Sequence, residues 1–369
     1  MLNIATEMSQ KTVMVAALNW GIGHATRDMP IINRLIKKGC RVILASDGAA
    51  LNVWRREYPE LETVELPSWN IKYQKWGSFT LKMASRAPYI IKAIREERKI
   101  IAEAIKKYQI DGLISDNRFG AYSPDIPTVF ITHQISLRLT PLLRWAEGIL
   151  FYYNNYFIKN FDTVWVPDYD GSPNLTGELS HRHKLKNEVR FLGPISRFMD
   201  LWDGKFPAPE YDVSVVLSGV EPQRTMLEEK LTEQLKALPN TKVILVQGRS
   251  DKNETTEIRP GFTVKSYMAS EELMETFLKS KYIICRSGYS TILDLAVMKQ
   301  TALMIPTPGQ TEQVYLAEWL GKQGLVVCQD QRKLDVQAGI EKLKTTKGFS
   351  LTSDSSVLNN AIDDFLGKC

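Results

Sequence analysis

The chain of 369 residues is poor in cysteine, in histidine and in long apolar runs. Its four cysteines, Cys40, Cys285, Cys328 and Cys369, show no Cys-x-x-Cys spacing. That argues against a cysteine zinc site or a disulfide framework and fits a reducing cytoplasm. No apolar run of about 18 residues or more occurs, so a membrane-spanning helix is not expected. The first residues (MLNIATEMSQK) include Glu7 and hold no apolar core of signal-peptide length, so secretion is not indicated. Short repeats and low-complexity segments are absent. Two phosphate-loop fingerprints are missing as well. There is no GxxxxGK[ST] run, and Gly21-Ile22-Gly23-His24 lacks the last glycine of GxGxxG because Thr26 stands there.

What is present is an ordinary globular balance, 44% apolar and 24% charged. Length favours two medium domains. The net charge of +5 is uneven: residues 1–200 carry 27 basic and 20 acidic side chains, the remainder 20 and 22. Apolar β-branched runs alternate with helical patterns. Strands are predicted at Thr12–Leu18, Arg41–Ser46, Gly112–Ser115, Pro127–Thr132 and Thr163–Val166, with helices from Ala25 to about Lys38 and through Trp54. Gly193–Glu210, rich in Pro and Gly, reads as a linker. Strands follow at Val213–Ser218, Lys242–Gln247, Tyr282–Cys285 and Ala302–Pro306. Helices are predicted after Pro222 and at 271–279, 288–298, 311–323, 332–344 and about Ser355–Leu366. This rhythm predicts an α/β chain of two doubly wound domains with parallel sheets. Ligands of such sheets sit beyond the carboxyl ends of the strands, in the βα loops.

Four such loops carry candidate chemistry. Gly21 and Gly23 allow a tight turn into a helix start whose free N–H groups suit an anion. His24 there is either a general base or a polar residue opening a helix. Asp116, Asn117 and Arg118 end an apolar strand. Asp116 either orients His24 or caps a turn, and Asn117 and Arg118 are candidate acceptor contacts. His133 and Gln134 close the next strand, as acceptor contacts or as a hydrogen-bonded structural pair. In the second half, Arg286, Ser287, Gly288, Ser290 and Thr291 open a helix in a way that suits a diphosphate. Asp294, one turn on, could accept ribose hydroxyls. Ser218 and Gly219 form a second candidate phosphate or sugar loop, and Gln310, Glu312 and Gln313 open a helix with groups that can bind sugar hydroxyls.

The segment CRSGYSTILDLAVMKQTALMIPTPGQTEQVYLAEWL resembles the nucleotide-sugar signature of glycosyltransferase family 28, including members acting on a lipid-linked cell-wall precursor. GIGHATRDMPI resembles that family's glycine-rich loop with one glycine fewer, and Thr132-His133-Gln134-Ile135 its HEQN segment. The resemblance implies a GT-B fold: two Rossmann-like domains facing each other across a cleft, with the acceptor domain at 1–195, a linker at 196–210 and the donor domain at 211–353. A last helix at about 354–369 would return to the first domain. It also implies an inverting transfer from a nucleotide-sugar, UDP-linked, with no cofactor and no metal. Ser287 and Gly288 would face the nucleotide, and Asp294 stands where the family has a ribose-binding Glu. Glu312 and Gln313 match a Gln-Gln pair that reads the donor sugar.

The remaining expectations concern the acceptor and the competing readings. Residues 69–82 and 137–158 mix aromatics with Lys72, Lys75, Lys82, Arg138 and Arg144. This suits either an anionic membrane surface, at the inner face of the cytoplasmic membrane, or a core with solvated lysines. The acceptor would be a glycan or lipid-linked hydroxyl. No nucleic-acid recognition motif occurs. Two alternatives share the fold, a UDP-sugar 2-epimerase and a non-catalytic sugar-nucleotide-binding subunit.

Overall fold

The computed structural model of the chain describes residues 10–69, 79–219, 221–249, 252–351 and 354–369. The leading MLNIATEMS and Val220 lie outside them. So does most of the basic aromatic stretch expected at 69–82, where only the Trp69 side chain and the backbone from residue 79 are described.

The N-terminal half forms a seven-stranded sheet from β1 (Thr12–Ala17), β2 (Arg41–Ser46), β3 (Glu62–Glu65), β4 (Gly112–Asp116), β5 (Thr128–Ile131), β6 (Thr163–Val166) and β7 (Glu188–Phe191). The order is β3-β2-β1-β4-β5-β6-β7, all parallel. Every residue of β1 is buried, and its side chains alternate between two cores as a period of two requires. Val13, Val15 and Ala17 meet helix α1 (Gly23–Lys37) and helix α2 (Gly48–Glu57). Met14 and Ala16 meet the long helix α3 (Phe79–Tyr108) on the opposite face. Helices α4 (Glu147–Ile158) and α5 (Glu178–His181) complete this half.

The second half holds β8 (Tyr211–Val216), α6 (Gln223–Lys236), β9 (Val243–Val246), β10 (Thr255–Arg259), β11 (Phe262–Lys265), α7 (Ser270–Leu278), β12 (Ser280–Cys285), α8 (Tyr289–Val297), β13 (Leu303–Met304), α9 (Thr311–Lys322), β14 (Val327–Cys328) and α10 (Val336–Leu343). The sheet order is β10-β11-β9-β8-β12-β13-β14, parallel except for β10 against β11. The last helix, α11 (Ser355–Lys368), buries Leu358, Ile362 and Phe365 in the same cluster as Met29, Ile32 and Leu35 of α1. The chain passes between the two cores at Ile195, which packs in the first, and Phe198, which packs in the second.

Several elements differ from the sequence-based expectation. β3, β7 and β10 were not expected as strands: they are polar and only partly buried, so they leave no apolar run. The strand expected at Ala302–Pro306 is reduced to Leu303–Met304. The helix expected at 332–344 starts only at Val336, because Asp335 accepts from the Ala338 N–H at 2.9 Å and caps a fresh start there.

Candidate active site

The strand order sets the site. β1 lies between β2 and β4, where the sheet's winding reverses, and the register pairs Ala17 with Asp116 and Asp116 with Ile131. The loops after β1, β4 and β5 therefore emerge side by side. Nδ1 of His24 lies 2.9 Å from Oδ1 of Asp116. Asn117, held at φ +56°, donates from Nδ2 to the same oxygen at 3.1 Å. His133 projects from the end of β5, and its Nε2 lies 2.7 Å from Oε1 of Glu312 on α9, across the cleft. Gln134 Nε2 sits 3.2 Å from the same ring nitrogen.

Sequence reasoning passed over the residue that joins these groups. Arg27 donates from Nε to Oδ2 of Asp116 at 2.6 Å and from Nη2 to Oδ1. Its Nη1 lies 3.1 Å from Nδ1 of His133, and its Nη2 2.9 Å from Nδ1 of His24. One signal was available: Arg27 follows His24 by three residues and so shares its helix face. Its neighbour Asp28 was also passed over. No donor reaches either Asp28 oxygen, and the side chain is fully buried.

Electrostatics assigns the charges. Burial opposes ionisation of Asp116, but Arg27 and His24 outweigh it and hold the carboxylate well below its usual range. Burial, reinforced by the Asp116 charge, pushes Asp28 well above its own. Burial lowers His133 against the pull of Glu312, leaving a neutral imidazole. Glu312 is lowered in spite of burial by its bond to His133. The ring of Tyr289, at the start of α8, stacks on His133 with centroids 3.9 Å apart and planes 10° from parallel.

The two halves also meet at their helix starts. Ser290 Oγ donates to the Gly23 carbonyl at 2.8 Å, and a Cβ on Gly23 would fall 2.7 Å from that oxygen. Gly21 has open space around it, but φ +79° calls for glycine there. Gly288 is the N-cap of α8, with Ser290 and Thr291 half-buried in its first turn. Gln310 stands at the N-terminal boundary of α9 without a side-chain capping bond, and Ser218 and the exposed Gly219 follow β8.

Five candidates turn their side chains inward to protein partners. Arg118 is fully enclosed, donating to Glu97 at 2.9 Å, to Asp47, and to the carbonyls of Ala17 and Pro67 at 3.0 and 2.9 Å. Arg286 is buried among the carbonyls of Ile305, Pro306 and Gln223 and the amide of Gln331. Ser287 Oγ donates to the Gln313 carbonyl at 2.8 Å, while Gln313 Oε1 accepts from the Thr307 N–H at 2.8 Å. The Asp294 carboxylate is taken up by Ser196 Oγ at 2.6 Å and Arg197 at 3.2 Å, both from the crossing segment. The sequence placed Arg118, Arg286 and Ser287 at βα loops and Asp294 and Gln313 on the helices that follow, as the structure does, but nothing local told which way each side chain turns.

Among the described residues no group of three or more His, Cys, Asp or Glu could hold a metal ion, and no helix is long and apolar enough to cross a membrane.

Comparison with known proteins adds to this geometry. Residues 216–364 match the model of the glycosyltransferase family 28 C-terminal domain. A UDP-N-acetylglucosamine–N-acetylmuramyl-(pentapeptide) pyrophosphoryl-undecaprenol N-acetylglucosamine transferase of Methylobacterium sp. (strain 4-46) is 23% identical over 321 residues, 83% of this chain and 79% of that protein. The enzyme of that description from Histophilus somni (strain 129Pt) is 25% identical over 277 residues, 70% of each chain. The crystal structure of Acinetobacter baumannii MurG superposes with a TM-score of 0.57 at 13% identity, covering 97% of this chain and 99% of that one. The glycotransferase of kitacinnamycin gives 0.63 at 17%, covering 97% and 95%. The fold is therefore GT-B.

Proposed function

We propose, with residues 216–364 as a glycosyltransferase family 28 C-terminal domain, that this chain is an inverting glycosyltransferase. It moves a sugar from a nucleotide-sugar, UDP-linked, to the hydroxyl of a lipid-linked or envelope glycan acceptor. The observation that carries the reading is the His24–Asp116 pair at the mouth of the cleft. With Nδ1 turned to Asp116, Nε2 of His24 is the ring nitrogen left for substrate. It takes the proton of the acceptor hydroxyl as the oxygen bonds to the anomeric carbon. The bond from that carbon to the diphosphate breaks on the opposite face, and the electron pair leaves with UDP. The helix starts at Gly23 and Tyr289 stabilise the departing charge. Asp116 holds the ring and offsets the imidazolium that forms. Holding both substrates in the cleft supplies much of the remaining acceleration.

The relatives named above act on an undecaprenol-linked acceptor, and one surface of this chain suits such a substrate. Leu142, Trp145, Ile149, Tyr152 and Tyr156 are exposed at alternating three- and four-residue spacing along α4 and the turn before it. That places one apolar face outward, beside the exposed Arg144. Such a face seats in the headgroup region of an anionic bilayer, at the cytoplasmic side of the membrane. Arg138 does not contribute, being paired with Glu147 and Glu178. Flotation with vesicles of phosphatidylglycerol tests this: the wild type co-floats at low salt, and Trp145→Glu/Tyr152→Glu stays in the dense fraction. Wild-type protein that never floats removes the membrane contact from the account.

The family match and the structural neighbours lend no support to an epimerase. The transfer itself is tested with UDP-glucose, UDP-galactose and UDP-N-acetylglucosamine, each assayed for UDP release with and without polyprenyl-diphosphate-linked sugar. Release that depends on acceptor is the expected result. A 2-epimer formed without acceptor, or binding with no turnover under any pairing, would contradict the reading.

A further inference from the structure

Arg27 sits at the centre of the cleft's polar network, and its chemistry constrains every neighbour. A guanidinium only donates. Nη1 lies 3.1 Å from Nδ1 of His133, so that nitrogen accepts, and the single ring proton of neutral His133 is on Nε2, facing Glu312 at 2.7 Å. His24 is the reverse case. Its Nδ1 lies 2.9 Å from a buried carboxylate oxygen and equally far from Nη2 of Arg27. That Nη2 sits closer to Oδ1 of Asp116 than to the ring, so its hydrogen goes to the carboxylate. A lone pair on Nδ1 would face the lone pairs of Asp116, whereas an Nδ1–H is donated to them.

Resting on the reading of His24 as the base, we propose that Arg27 is a positioning residue of the transfer reaction. It donates to Nδ1 of His133, which leaves that ring's proton on Nε2, and it holds the Asp116 carboxylate that takes the Nδ1–H of His24, so the two cleft histidines carry opposite tautomers. It also keeps Nε2 of His24 free for the acceptor hydroxyl. The charged and titratable groups facing His24 are Asp116 from the end of β4, Arg27 and Asp28 from α1, His133 beyond β5, Tyr289 from α8 and Glu312 from α9. Tyr289 is neutral, its phenol raised by burial, and burial raises Asp28.

The test is nuclear magnetic resonance of the full chain labelled with 15N and 13C histidine. Only four histidines are present, and His24→Gln and His133→Gln assign the two in the cleft. In the wild type the 15N shifts are expected to show Nδ1–H at His24 and Nε2–H at His133. In Arg27→Gln, which loses the fork, His133 should spread its proton over both ring nitrogens and His24 should lose its single Nδ1–H form. Arg27→Lys, which keeps the charge but loses the fork, should mix the tautomers as well. An Nε2–H tautomer at His24 in the wild type overturns the proposal and needs no variant to be seen. Unchanged tautomers at both histidines in a folded Arg27→Gln overturn it as well. Full transfer activity in His24→Ala is a different failure: it removes the base itself and leaves the tautomers as described.

Discussion

Replacing Arg118 with methionine separates a supporting role from a binding one. The guanidinium is fully buried and holds two carboxylates, Glu97 at 2.9 Å and Asp47, together with the carbonyls of Ala17 and Pro67. Methionine fills most of the volume and donates to none of them. Removing one side of a buried ion pair costs about 3–5 kcal/mol, because the remaining charge is left without compensation. At roughly 2–4 °C per kcal/mol for a domain near 200 residues, Tm should fall by about 6–20 °C. The pH dependence has a definite sign. Burial raises Glu97 and Arg118 works against that rise, so in the variant Glu97 moves higher still. A carboxyl raised in the folded state costs stability above its unfolded value, and the cost vanishes as it protonates. The deficit of the variant should therefore be large at pH 7 and shrink as pH falls toward the ordinary glutamate value of 4.5. Differential scanning calorimetry across that range measures both effects. Arg118→Met/Glu97→Gln should recover part of the loss. A variant within about 2 °C of the wild type at pH 7 but with weakened acceptor binding would refute the reasoning and return Arg118 to the cleft.

Gly23→Ala places a methyl group 2.7 Å from Ser290 Oγ and breaks the bond at 2.8 Å that joins the two helix starts. The loss is on the order of 1–2 kcal/mol of domain closure, read as roughly a tenfold rise in KM for the nucleotide-sugar. Adding Ser290→Gly should relieve the clash but not restore the hydrogen bond, so it recovers only part of the loss, and unchanged KM in the single variant would count against closure at this point. Asp28→Asn should stabilise the protein at pH 7. Burial and the Asp116 charge raise the folded Asp28 above its unfolded value, so it costs stability as pH rises above about 4, whereas asparagine binds no proton. A gain on the order of 1 kcal/mol at pH 7, or about 2–4 °C, should be gone near pH 4. An equal gain at both would show that the Asp28 carboxyl is not raised in the folded state.

The architecture was legible because buried parallel strands are continuous apolar runs. TVMVAA and SKYIIC lie near the centre of the two sheets, and their neighbours were found the same way. Edge strands such as ETVE were not, since half their residues face water. In the site, the loop positions of His24, Asp116, His133 and Glu312 followed from the strand endings. Their convergence needed the order β2-β1-β4-β5, which no local pattern encodes. Arg27 escaped notice because an arginine within a helix usually faces solvent, and only the approach of β4 and β5 buries this one. Asp294 and Gln313 show the converse. Their types suit a nucleotide-sugar, but the crossing segment and a neighbouring loop already use their polar atoms.

The central claim is that His24 removes the acceptor proton and is not needed to bind the donor nucleotide. Its most direct test pairs two measurements on His24→Ala: calorimetric titration with UDP, and single-turnover transfer from the UDP-sugar that the wild type turns over. The account predicts UDP affinity within about threefold of the wild type, under 1 kcal/mol. Transfer should be slowed by about 10²–10⁴, the usual worth of a positioned general base. Transfer within a few-fold of the wild type would contradict it.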